Sequence, residues 1–131
     1  MASKTILVVD DEQPFRDMMK VMLKEDGYEI LEADNGLSAF ELAKSDVPDL
    51  IISDIMMYNG SGFILREFLK QEPLTESIPL ILMTGAAQDA GAWGSDLNIE
   101  YLLKPFSREV LIMTVKRVMN ARSHKGNLSK P

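Results

Sequence analysis

A doubly wound α/β fold, five parallel strands alternating with five helices, is the architecture this sequence predicts, and three observations carry it. Short apolar runs rich in β-branched residues lack two-residue alternation, as strands buried on both faces do. Segments of helical period lie between them, and right-handed crossovers then make the sheet parallel with helices on both sides. Polar residues stand directly after the strands, at the sheet edge where ligands bind in such folds.

Ile6-Leu7-Val8-Val9 forms the first strand. Phe15, Met18, Met19, Met22 and Leu23 then recur at helical spacing, giving one apolar face of a helix that Pro14 opens and Gly27 closes. Tyr28 to Leu31 is a weaker strand, followed by a helix over Leu37 to Lys44. Leu50-Ile51-Ile52 is the third strand, Phe63 to Leu69 the next helix, and Leu80-Ile81-Leu82-Met83 the fourth strand. Gly85, Gly91 and Gly94 fall where the fourth helix belongs. Each interior glycine costs about 1 kcal/mol relative to alanine, so that helix is expected to be short or loose. Tyr101 to Leu103 makes a weaker fifth strand. The last helix runs from Arg108 to Ala121, with Leu111, Ile112, Val115, Val118 and Met119 on one broad face and Val110 and Met113 elsewhere.

Composition narrows the function classes. The 131 residues are 46% hydrophobic and 26% charged, the balance of a folded single domain. With no cysteine there is no disulfide framework, thiolate nucleophile or cysteine-bound metal, and the single histidine, His124, removes mechanisms that need two. A net charge of −6 has the wrong sign for a protein that binds a phosphate backbone. The longest uncharged stretch, Ser77 to Gln88, is far short of the roughly 20 residues of a transmembrane helix. Met1-Ala2-Ser3-Lys4 leads into no signal-peptide cleavage site. The expectations are a cytoplasmic location, no direct nucleic-acid partner and no membrane.

Asp10 and Asp11 follow the first strand, Asp54 the third, Thr84 the fourth and Lys104 the fifth. Any one of them alone reads as a solvated turn or a helix cap. Together they bring three carboxylates, a hydroxyl and an ammonium to one sheet edge. Two carboxylates about 5 Å apart repel by roughly 3 kcal/mol at an effective dielectric near 20, so the cluster calls for a cation. A hard divalent ion, Mg²⁺ or Mn²⁺, takes such oxygens and keeps other positions for water or phosphate. A carboxylate beside that ion and a lysine can attack a phosphoryl group, with Asp54 as nucleophile and Lys104 and Thr84 holding the transferred oxygens.

Val8-Val9-Asp10-Asp11-Glu12, Ser53-Asp54-Ile55-Met56-Met57, Met83-Thr84-Gly85 and Leu103-Lys104-Pro105-Phe106, in this order, resemble the CheY-like receiver domain of two-component response regulators from about Lys4 to Arg122. The resemblance implies a flavodoxin-like sheet of order 2-1-3-4-5, a receiver domain over residues 1–122, and a flexible tail or the start of a linker over 123–131. It also implies that Asp54 accepts a phosphoryl group from a histidine kinase or phosphotransfer protein. Asp11 and Asp54 would be direct Mg²⁺ ligands with the backbone carbonyl of Met56, and Asp10 would act through metal-bound water. Lys104, before a cis bond to Pro105, would pair with the acidic cluster and then with the phosphoryl group. Thr84 would move to the phosphoryl oxygen, and Tyr101 would rotate inward as the threonine vacates its space. The result is a phosphorylation-dependent switch rather than an enzyme. Its output face is the fourth helix, fifth strand and fifth helix, and its partner is an unidentified protein, an output domain or a second copy in a phosphorylation-dependent homodimer.

The sequence departs from the family at Tyr58, where proline is usual, and in the shortened interval between Thr84 and Lys104, which contains Trp93. Gly60-Ser61-Gly62 is a flexible helix entry rather than a dinucleotide fingerprint. Met56 and Ala86 hold positions that often set phosphoryl lifetime in the family, and neither can orient water, so slow self-hydrolysis is expected. The other reading is a Mg²⁺-dependent phosphatase of haloacid-dehalogenase-like type, which would carry its nucleophile on the first strand.

Overall fold

A computed structural model describes residues 3–57, 62–85 and 99–128, with residues 122–128 by backbone alone. Five strands, β1 (Thr5–Val9), β2 (Glu29–Ala33), β3 (Leu50–Asp54), β4 (Leu80–Thr84) and β5 (Ile99–Leu103), form one parallel sheet in the order β2-β1-β3-β4-β5. Four helices are seen among the described residues: α1 (Gln13–Glu25), α2 (Gly36–Asp46), α3 (Gly62–Gln71) and α4 (Arg108–Leu128). The expected fourth of five, with Gly91, Trp93 and Gly94, falls in 86–98, outside the described residues, as do Tyr58, Asn59, Gly60, Ser61 and Ala86.

Side chains of successive strand residues point to opposite faces, so each central strand feeds two apolar layers. Ile6, Val8, Leu50 and Ile52 face the layer closed by Met19 and Leu23 of α1 and Leu111 and Val115 of α4. Leu7, Val9, Ile51 and Leu82 face the layer closed by Ala39 and Ala43 of α2 and Leu65 and Leu69 of α3. Every residue of β3 and β4 is buried, which explains why these runs carry no polar alternation. Edge strands β2 and β5 keep Glu29 and Glu32, and Glu100, and their apolar signal is correspondingly weaker.

Pro14 stands in the first turn of α1, and Gly27 after it has φ 95°, a conformation glycine adopts without a Cβ clash. Asn35 caps α2 by accepting a hydrogen bond from the Ser38 N–H at 2.9 Å. Val47 ends α2 with φ 42°, in the left-handed region that a β-branched residue rarely occupies.

Two sequence expectations are corrected. Met18 is 38% exposed, because the buried stripe of α1 passes through Phe15, Met19, Met22 and Leu23 and leaves Met18 beside it. The last helix continues past Ala121 to Leu128, since a formed helix adds one hydrogen bond for each residue it fixes even where apolar spacing has stopped. No described helix is long and apolar enough to cross a membrane.

Candidate functional site

The strand register builds the site. Val9 of β1 pairs with Ser53 of β3, so Asp10 and Asp54 leave neighbouring strands side by side. Asp54 pairs with Met83 and Thr84 with Leu103, which carries the chain at Lys104 to the same rim.

Asp10 is fully buried. Its Oδ1 accepts from the Glu12 N–H at 2.9 Å and its Oδ2 from the Lys104 ammonium at 3.3 Å. Asp54 is 8% exposed, and its Oδ2 accepts from the same ammonium at 3.2 Å while Oδ1 accepts from the Met56 N–H at 3.4 Å. Asp10, half-buried Asp11 and Asp54 each offer a carboxylate oxygen, all within 4.8 Å of one another. Three formal negative charges against one positive leave two, the charge of a divalent cation. An acidic group with hard oxygen donors can hold such an ion.

Burial pushes the Asp54 carboxyl up, the Lys104 charge and hydrogen bond pull it down, and nearby Asp10 raises it again, so it lies above the ordinary carboxylate range. For Lys104, burial alone favours loss of the proton, but the charges of Asp54 and Asp10 outweigh it and hold the ammonium above the usual lysine range. Its long side chain thus crosses the end of β4 as a cation between two buried anions.

Thr84, the last residue of β4, is buried, and its carbonyl accepts from the Lys104 N–H at 2.7 Å. The Lys104–Pro105 peptide bond is cis. Tyr101 pairs with Leu82 in register and packs against the α2–α3 layer, and its buried hydroxyl has no hydrogen-bond partner among the described residues. Met56 stands two residues after the end of β3 and is 73% exposed.

Five further residues shape the site without having been read from the sequence as site residues. Ser53 is buried and its hydroxyl donates to the Asp54 carbonyl at 3.0 Å. A Cβ on Gly62 would lie 2.7 Å from that same carbonyl oxygen, so only glycine lets α3 start so close beneath the acid. Phe15 places its ring 4.1 Å from the Lys104 ammonium, and Phe106 meets Phe15 edge-on at 5.9 Å. Phe15 stands four residues after Asp11 and Phe106 two residues after Lys104. Behind Asp10, Arg16 donates to the Asp10 carbonyl at 2.6 Å and is itself held by Glu32, which also pairs with Lys20.

A family model for the response regulator receiver domain matches residues 6–116. The chain belongs to the response regulator receiver domain family. This receiver domain is 39% identical over 133 residues to the phosphate regulon transcriptional regulatory protein PhoB of Pseudomonas aeruginosa, over all of this chain and 58% of that protein. It is 33% identical to protein PilH of the same organism, over 87% of this chain and 96% of that one. Among solved structures, the chemotaxis response regulator CheY4 of Vibrio cholerae superposes with a TM-score of 0.80 at 30% identity, over 89% of this chain and 99% of that one. A putative response regulator from Chloroflexus aurantiacus gives a TM-score of 0.83 at 29% identity, over 91% and 99%. The chain spans a little over half the length of the PhoB relatives it matches, 58% and 52%. The haloacid-dehalogenase-like alternative is unsupported, since the family match covers both acid-bearing strands and places the chain among receivers.

Proposed function

We propose that this receiver domain takes a phosphoryl group onto Asp54 from a histidine kinase or phosphotransfer protein. The supporting observation is the Lys104 ammonium shared between Asp54 and Asp10 at 3.2 and 3.3 Å beside a third carboxylate, Asp11. Asp11 and Asp54, with the Met56 carbonyl, would hold Mg²⁺ or Mn²⁺, and Asp10 would hold water bound to it. The excess of two negative charges in this donor set fits a divalent ion. When bound, that ion supplies positive charge against the phosphoryl oxygens.

In the transfer, an Asp54 carboxylate oxygen attacks phosphorus, the bond from phosphorus to the donor imidazole nitrogen breaks, and the imidazole leaves with the electron pair. Lys104, already a cation beside Asp54, follows the charge from the carboxylate to the phosphoryl oxygens. Thr84 supplies a hydroxyl from the end of the neighbouring strand. The phosphoryl group carries about two negative charges and new acceptor oxygens, and a few charge-assisted hydrogen bonds at about 1.5–3 kcal/mol each reach the roughly 5.5 kcal/mol that inverts a two-state equilibrium. Tyr101, whose buried hydroxyl has no partner among the described residues, would pass the change to the face of β5 and α4. That face would meet a downstream protein, an output domain or a second copy.

Incubation with Mg²⁺ and a small phosphodonor is expected to add one phosphoryl group per chain by intact mass, absent in Asp54→Asn. Catalytic turnover of a phosphate ester, or label on another residue, would overturn this reading.

A further inference from the structure

Lys104 meets more than carboxylates. On one side its ammonium lies 3.3 Å from Asp10 and 3.2 Å from Asp54; on another it lies 4.1 Å from the centre of the Phe15 ring. A cation within about 6 Å of a ring centroid is attracted by the ring quadrupole, and the attraction grows as water is removed. The Lys104 side chain is only 21% exposed, which places the contact towards the stronger end. The ring is itself held: Phe106 packs edge-on against it at 5.9 Å and 79°, so the chain segment that delivers the lysine also delivers the brace for its aromatic seat. Phe15 in turn stands on α1, whose N-terminus follows Asp10 and Asp11.

We propose that Phe15 is a positioning residue for the reaction at Asp54, its ring holding the Lys104 ammonium between the two buried carboxylates. This inference rests on the phosphoacceptor reading above. A lysine side chain has four freely rotating bonds and a strongly hydrated head, so two carboxylates leave it several poses. A third carboxylate would fix it, but would cancel its charge and add repulsion to a cluster already carrying two excess negative charges. A π face attracts the ammonium without neutralising it and leaves its full charge available to phosphoryl oxygens. An aliphatic residue at position 15 would fill the same apolar space at the edge of the core and do none of this.

The test replaces Phe15 in the full chain by mono-, di- and trifluorophenylalanine, which weaken the quadrupole stepwise at nearly constant size, and by Phe15→Leu and Phe15→Trp. Two quantities are read: the rigidity of the Lys104 ammonium by NMR relaxation without phosphodonor, and the rate of Asp54 labelling with Mg²⁺ and a small phosphodonor. Rigidity and rate should fall together along the fluorine series, reaching a rate loss of about five- to tenfold, with Phe15→Leu at least as slow and Phe15→Trp near the parent. The thermal midpoint should stay nearly level across the fluorinated set, as packing is conserved. A parent that labels while rigidity or rate stays flat across the series reduces Phe15 to core filler and overturns the inference. A parent that takes no label at Asp54 overturns the phosphoacceptor reading itself, and the inference with it.

Discussion

Removing the charge at Asp54 should make the metal-free domain more stable. At the 4.8 Å limit that contains the three carboxylate oxygens, each like-charge pair costs roughly 3.5 kcal/mol at an effective dielectric near 20. Asp54 makes two such pairs, with Asp10 and Asp11, and its attraction to Lys104 at 3.2 Å returns roughly 5 kcal/mol on the same scale. Repulsion exceeds attraction by roughly 2 kcal/mol, and the burial that raises the Asp54 carboxyl acts in the same direction. Asp54→Asn keeps the shape and an acceptor for Lys104, so the expected gain is about 1–3 kcal/mol, or about 4–10 °C in Tm. The pH dependence has a definite sign. A carboxyl raised on folding contributes its full stability below the ordinary carboxylate value and loses it as pH rises through the raised value. The difference between variant and parent is therefore small in acid, opens through that window and is constant near neutrality. Magnesium closes it from the other side, because a free concentration a hundredfold above Kd adds about 2.7 kcal/mol to the parent. Urea unfolding at neutral and acid pH, with and without Mg²⁺, measures all of these. A metal-free Asp54→Asn less stable than the parent, or a gap that ignores both pH and Mg²⁺, would refute the electrostatic account.

Lys104→Met leaves two buried carboxylates without their cation and should cost about 3 kcal/mol in metal-free urea unfolding. The lysine is raised on folding, so its contribution is full below the ordinary lysine value and disappears as pH climbs through the raised one; parent and variant should converge only in strong alkali. Gly62→Ala drives a Cβ to 2.7 Å from the Asp54 carbonyl oxygen and should cost about 1–3 kcal/mol, with weaker Mg²⁺ binding by calorimetry because the displaced backbone carries the acid. Val47→Asn relieves a left-handed β-branched residue that is 47% exposed, and should raise the urea midpoint by an amount equal to about 1 kcal/mol. In the labelled protein, the phosphoryl group at Asp54 should persist well beyond seconds by intact mass, as Met56 offers no group to orient water.

The central strands were legible because each is apolar on both faces, so β1, β3 and β4 needed no partner to be recognised. β2 and β5 extend beyond the runs expected for them, to Ala33 and back to Ile99, because an edge strand carries glutamates that dilute the local pattern. Asp10, Asp54 and Lys104 were legible as strand-end polar residues in an otherwise apolar setting. Phe15 was not, because a ring at a periodic apolar position looks the same whether it fills the core or seats a cation. The difference depends on Lys104, nearly ninety residues away, and no local spacing carries it. Gly62 was likewise invisible in its role, since a glycine entering a helix looks like flexibility until the Asp54 carbonyl is found where its side chain would be.

Lys104 directly follows the edge strand β5, yet its tip lies between oxygens at the middle of the sheet, and its own N–H is fastened to the carbonyl of Thr84 on the strand it crosses. One side chain therefore works as a drawstring across the rim. A change of charge at Asp54 is therefore felt by Lys104 and, through the Thr84 carbonyl, at the margin of the sheet.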